Sequence, residues 1–149
     1  MYCFCHKGFY KESVMLHPIE TELAPSESDV CSQAIKSGNW AFLSGQIPLI
    51  AETNALLQGS IAEQTAQVFH NLSAIATASG GSLEHVVKLT IYLKDMANLA
   101  EFNKEMINHL SSPLPARAVV SVSALPMDAK MQVEAIMMIP DPVWSLAVT

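Results

Sequence analysis

The chain has 149 residues, half of them hydrophobic and only 15% charged, against about 25% charged in an average soluble domain. Eight Lys and Arg against 14 Asp and Glu leave a net charge of −6, the wrong sign for an electrostatic footprint on nucleic acid. The apolar content excludes disorder, no apolar run reaches the roughly 18 residues of a membrane span, and the length suits one domain with a real core.

Residues 1–14, MYCFCHKGFYKESV, differ in composition from everything after them. They lack the apolar stretch and small-residue cleavage site of a secretory leader. They read as an N-terminal extension that is loosely attached or precedes a natural start at Met15. Residues 15–140 read as a single domain, and 141–149 as a C-terminal tail. Three cysteines, Cys3, Cys5 and Cys31, cannot build a disulfide framework, and their odd number suits a reducing compartment, the cytoplasm. Cys3 and Cys5 lie near His6 and His17, but their spacing is not that of a tetrahedral zinc site. No metal is expected.

Alternation and short apolar runs predict strands near Cys31–Ser37 and Trp40–Leu43, with Ser37-Gly38-Asn39 turning a hairpin between them. Ser44-Gly45-Gln46 ends the second strand, and a loop containing Pro48, Thr53, Asn54 and Gly59 follows. Ser60 with Glu63 three residues on is a capping box. Ile61, Thr65, Val68, Leu72, Ile75 and Ser79 then recur at helical spacing, and Gly80-Gly81 closes that helix. Val86–Leu93 is rich in β-branched residues and predicts a strand with Val87, Leu89, Ile91 and Leu93 on one face. A second helix over Ala97–Leu110 carries Leu99, Phe102, Met106 and Leu110 as its stripe, stopped by Pro113 and Pro115. Strands Ala118–Ala124 and Lys130–Ile139 flank a turn at Pro126-Met127-Asp128. The order β-β-α-β-α-β-β predicts an α+β fold with two helices on one face of a single mixed sheet. The other face is too apolar to be left in water, so the fold is expected to oligomerise through it.

Several residues invite chemistry. Arg117, in Pro115-Ala116-Arg117 ahead of an almost uncharged strand, offers a planar fork for a carboxylate or phosphate. Its bland reading is an ion pair with a nearby Asp or Glu. Glu134 is the one formal charge between Met131 and Pro140. It shares a strand face with Gln132, while Met131, Val133 and Ala135 point the other way. A cation such as Arg117, a ligand pocket or plain edge exposure would each account for it. At Ser44-Gly45, a missing Cβ lets backbone N–H groups approach a small anion, although most such glycines are only turns. Cys31 could be a nucleophile, but a small buried apolar role suits it better, with no basic neighbour to activate it. His70 and His109 read as helix residues and His85 as a loop residue, without metal-ligand spacing.

Taken in order, Ser32-Gln33-Ala34, Ser44-Gly45-Gln46-Ile47-Pro48-Leu49, Gln64-Thr65, Asn71-Leu72 and Val86-Val87-Lys88-Leu89-Thr90 form one pattern. Phe102-Asn103, Pro115-Ala116-Arg117, Leu125-Pro126-Met127-Asp128-Ala129 and Glu134-Ala135-Ile136 continue it. The pattern runs from Ile19 to Ile139 and resembles the reactive intermediate (enamine/imine) deaminase family, RidA or YjgF, also called the L-PSP endoribonuclease family. The resemblance implies a chorismate-mutase-like fold and a homotrimer with ligand clefts between subunits. It implies cofactor-free hydrolysis of 2-aminoacrylate-class enamines and imines to 2-keto acids and ammonia.

By the same resemblance, Arg117 is the clamp for the substrate carboxylate, Ser44 and Gly45 close the cleft, and Asn103 supports. Three positions depart from the deaminase pattern. Cys31 stands where a tyrosine is usual, and Val119 where a cysteine is usual two residues after the arginine. Gln132-Val133-Glu134 stands where Glu-x-Glu is usual. The first carboxylate of that pair is expected to orient the attacking water. An amide can hold a water but cannot take its proton, which makes Glu134 the surviving carboxylate on that face. Gln132 or Glu134 is then the group that holds the water. The alternatives are a non-catalytic trimer that binds or senses a small carboxylate and, against the acidic charge balance, an endoribonuclease or translation inhibitor.

Overall fold

Local signals place the longest helix. In the computed structural model, which describes residues 15–26 and 29–141, Ser60 caps α1 (Ile61–Ala78). Its hydroxyl accepts the Glu63 N–H while the Glu63 carboxylate accepts the Ser60 N–H. Those hydrogen bonds hold the Glu63 carboxyl below its usual range. The apolar stripe read from the sequence lies inward, with Val68, Leu72 and Ile75 fully buried. The N-terminal extension, Cys3, Cys5 and the tail from 142 onward lie outside the described residues.

The remaining elements are β1 (His17–Ile19), β2 (Ala34–Ser37), β3 (Trp40–Gln46), β4 (Leu49–Ile50), β5 (Ala55–Leu56), β6 (Val86–Leu93), α2 (Leu99–Met106), β7 (Ala116–Ser121) and β8 (Met131–Met138). Six strands form one sheet in the order β1-β2-β3-β8-β6-β7. Every pairing is antiparallel except β6 with β7, so the sheet is mixed. The parallel pair follows from the crossover β6-α2-β7, which makes β7 an edge strand next to β6. Both helices cover the same face. Phe69 and Phe102 meet there at 6.3 Å between ring centroids, packed in one core with Leu89, Ile91, Met131, Val133 and Met137.

Several boundaries differ from the sequence expectation. The strand expected over Cys31–Ser37 starts at Ala34, because the Gln33 side chain turns the chain before it. The Gln33 amide donates to the Thr21, Ala24 and Pro25 carbonyls and accepts the Thr21 N–H. Cys31 is exposed rather than buried. Within the loop after β3, β4 and β5 form a small hairpin. Asn54 sits in the turn at φ 52°, a conformation asparagine tolerates. The buried Asn71 amide donates to the Leu49 carbonyl at 2.9 Å, which ties that loop to α1.

On β6 the inward set is Val86, Leu89, Ile91 and Leu93, not Val87, which is 40% exposed. The register slips between Val86 and Lys88, so Val87 is the extra residue of a bulge. The helix α2 is shorter than Ala97–Leu110. It is entered through a 3-10 turn, Met96–Asn98, capped by Asp95, and it ends at Met106. His109 lies beyond that end, hydrogen-bonded to Glu105 at 2.8 Å and stacked on Phe69. His85 ends a 3-10 turn and accepts the Ser82 N–H. The strand β7 begins two residues earlier than expected and stops at Ser121, opposite the last residue of β6. Arg117 therefore lies within the edge strand instead of ahead of it.

Candidate active site

Arg117 pairs in register with Leu89, and its strand neighbour Val119 packs on the core. Side chains alternate along a strand, so Arg117 points toward the helix-covered side. There α2 presents Asn103, whose Oδ1 accepts a hydrogen bond from the Arg117 Nη1 at 2.6 Å. The Met106 sulfur lies 4.0 Å from the same nitrogen. Among the described residues the expected Asp or Glu partner of Arg117 is absent. The ion pairs among the described residues are Lys94–Asp128 and His109–Glu105. A neutral amide orients the guanidinium without neutralising it and uses only one of its five donors. The exposed remainder faces a recess of about 320 Å³ with Leu89, Met106, Leu110 and Leu114 in its wall.

Gln132 and Glu134 lie on the opposite, open face of the sheet. In β8, Met131, Val133, Ala135 and Met137 are buried while Gln132, Glu134 and Ile136 are half-buried. Tyr92 of β6 stands opposite Gln132, and its hydroxyl donates to the Glu134 Oε1 at 3.2 Å. The partner of Glu134 in the chain is thus a phenol and not Arg117. Burial of the phenol, followed by the charge of Glu134 and the hydrogen bond to it, raises the Tyr92 pKa above its ordinary value.

Gly45 belongs to the same cluster. Between Leu43 and Gln46 the register against β8 slips, so Ser44 and Gly45 together oppose Glu134 in a bulge. A Cβ on Gly45 would collide with the Gln132 side chain, 2.8 Å from its Cδ. The glycine is what lets Gln132 lie across β3. Ser44 is turned to structural use: its hydroxyl donates to the Ser32 carbonyl at 2.6 Å and its N–H to the Gln33 carbonyl at 2.9 Å. Cys31 lines a narrow cavity of about 40 Å³ together with Ser44 and Gly45.

Two half-sites result. Asn103 and Arg117 are joined at the β7 edge. Cys31, Ser44, Gly45, Gln132 and Glu134 gather around the β3–β8 bulge. In register, Arg117, Leu89, Ala135 and Leu43 form one row across four strands. Three interstrand spacings, about 14 Å, and the thickness of the sheet separate the guanidinium from the bulge. Sequence reasoning did not single out Tyr92. The alternation of β6 places it away from the core, but only the β6–β8 register sets it beside Gln132 and Glu134.

The endoribonuclease L-PSP family model matches residues 21–139. A RutC family protein of Pyrococcus horikoshii is 44% identical over 122 residues, covering 82% of this chain and 97% of the relative. A protein of Dermatophagoides farinae named 2-iminobutanoate/2-iminopropanoate deaminase is 37% identical over 121 residues, 81% of this chain and 94% of its own. The mitochondrial protein Mmf1 of Saccharomyces cerevisiae is 41% identical over 121 residues, 81% of this chain and 83% of its own. The crystal structure of yeast Mmf1 matches with a TM-score of 0.82 and 40% identity, covering 85% of this chain and all of that one. Among the described residues no helix is long and apolar enough to cross a membrane.

Proposed function

The chain belongs to the RidA/YjgF family, also called the endoribonuclease L-PSP family, and from that premise we propose that it hydrolyses small 2-imino carboxylates, the tautomers of 2-aminoacrylate-class enamines, to 2-keto acids and ammonia. One observation carries the reading: an exposed guanidinium held by an uncharged Asn103 at the mouth of a recess. That is an oriented cation whose charge no carboxylate of the described chain neutralises, suited to a bidentate grip on a substrate carboxylate. Gripping the carboxylate fixes the imine carbon for attack and converts part of the barrier into binding.

In this proposal Gln132 holds the water and Glu134 is the base beside it, with Gly45, Ser44 and Cys31 forming the facing wall. Water adds to the imine carbon, and the carbinolamine nitrogen gains a proton. The C–N bond then breaks, leaving ammonia and the keto group. Water is the only co-reactant, so no cofactor enters. The two half-sites lie too far apart in one chain to share a small substrate. The proposal therefore includes a homotrimer in which the Arg117 edge of one subunit faces the β3–β8 bulge of the next. It also includes a reducing compartment, the cytoplasm, on the strength of the cysteine usage; cell fractionation tests that part.

The test is release of keto acid from enamine generated by a threonine dehydratase. The native chain should exceed the no-protein rate, and Arg117→Ala should lose at least tenfold of the excess. Equal rates for native, variant and control would rule the reading out. A second reading, a trimer that binds the carboxylate without turnover, is favoured by the amide at Gln132. Binding of 2-ketobutyrate in calorimetry without acceleration of hydrolysis would select it.

A further inference from the structure

Glu134 is a carboxylate on the open face of the sheet, and its holder is uncharged. In the β6–β8 register Tyr92 stands opposite Gln132 and Thr90 opposite Glu134, so the phenol reaches the carboxylate diagonally. Aromatic side chains span such a diagonal. The hydroxyl donates to Oε1 at 3.2 Å. Burial, then the charge of Glu134, raises the phenol pKa, which keeps the hydroxyl protonated as a donor. Lys88 lines the same cavity as Glu134, yet the ion pairs among the described residues are Lys94–Asp128 and His109–Glu105. A bonded cation favours the ionised form of a carboxylate and makes it a poorer proton acceptor. A phenol fixes the direction of the carboxylate with one hydrogen bond and adds no formal charge. Arg117 is likewise held by a neutral group, Asn103.

We infer that Tyr92 is a positioning residue: its hydroxyl occupies Oε1 of Glu134 and so holds Oε2 toward the water beside Gln132. The inference rests on the deaminase reading above, in which Glu134 is the base. The phenol acts through that carboxylate and keeps its own proton during the reaction. Gly45 plays the corresponding part for Gln132, because the absent Cβ leaves room for the amide across β3. Tyrosine suits the task, since its stiff ring has few torsions to order, while a glutamate side chain has more freedom to lose. A base displaced by about an ångström from its productive position can forfeit about a hundredfold in rate.

The experiment measures kcat and KM of the full chain on enamine generated by a threonine dehydratase. It compares the native chain, Tyr92→Phe, Glu134→Gln and the double variant. Tyr92→Phe should lower kcat about tenfold and leave KM within about twofold, since Arg117 still grips the substrate carboxylate. Glu134→Gln should lose about a hundredfold in kcat. The double variant should then be no slower than Glu134→Gln, because the phenol has no base left to hold. A kcat for Tyr92→Phe within about twofold of native would overturn the inference, as would Glu134→Gln at the native rate or losses that multiply in the double variant. A rise in KM as large as the fall in kcat, or a changed circular dichroism spectrum of Tyr92→Phe, marks a merely structural role and also overturns it. A native chain no faster than the control without protein overturns the deaminase reading and this inference with it. A fast native chain indifferent to Tyr92→Phe overturns the inference alone.

Discussion

The two faces of the six-stranded sheet share one alternating pattern, and the chain treats them differently. On β8, Met131, Val133, Ala135 and Met137 are at most 3% exposed beneath the helices. Among the described residues none forms a layer over Gln132, Glu134 and Ile136, which lie between them, and Met138 is 46% exposed. Along the same open face Trp40, Phe42 and Val120 are 43–48% exposed. One face is a finished core. The other combines a small polar cluster with apolar surface that costs free energy in water. Lys88 and Glu134 are the charged residues that the register sets beside Ile136 and Thr90 on this face.

The contrast is broken most strongly from the helix side. Phe69 is fully buried between α1 and α2, and Phe69→Ala should cost about 3–5 kcal/mol by leaving a cavity. Denaturant titration reads it as a lowered midpoint. On the open face the expectation differs in kind. In the proposed trimer, Phe42→Asp or Val120→Asp should leave the helical signal intact and weaken subunit association on the order of a hundredfold or more, because a carboxylate would be buried without a partner. Sedimentation at micromolar concentration checks this, and an unchanged trimer would remove the open face as the interface.

The smallest expected effect concerns Tyr92. Burial and Glu134 raise the phenol pKa in the folded chain, so the neutral phenol is the favoured form. Its stabilising contribution is complete below the ordinary tyrosine value, about 10. The contribution is lost as pH rises through the folded value. One of three tyrosines should therefore ionise late in a phenolate absorbance titration. Glu134→Gln should move that step back toward the ordinary value, though not fully, since burial remains. A native titration with no late step would show that Tyr92 and Glu134 are not in contact.

Much of this architecture is legible in the sequence alone. The capping box at Ser60, the period of α1 and the alternation of β8 are local signals, written within one turn or one strand. Other features are set by partners distant in sequence. Val87 reads as inward by alternation but is displaced by a bulge that depends on β8. Cys31 reads as a buried small residue but lies outside the sheet because Gln33 anchors the loop before it. The hairpin β4–β5 has strands of only two residues, too short to leave a periodic signal, and the Asn71 amide on α1 fixes its position.

The candidate site divides in the same way. Residue chemistry alone singled out Arg117, Glu134 and the glycine at 45. An arginine beside an uncharged strand, a lone carboxylate within one and a glycine at a strand end each stand against their surroundings. Tertiary structure decided what they touch: Arg117 an amide of α2 instead of an acid, Glu134 the phenol of Tyr92, and Gly45 the side chain of Gln132. A strand's own period tells which residues share a face. Only pairing across the sheet tells which strand lies beside it, and the crossover through α2 puts β7 at the edge, three strands from the bulge at Gly45.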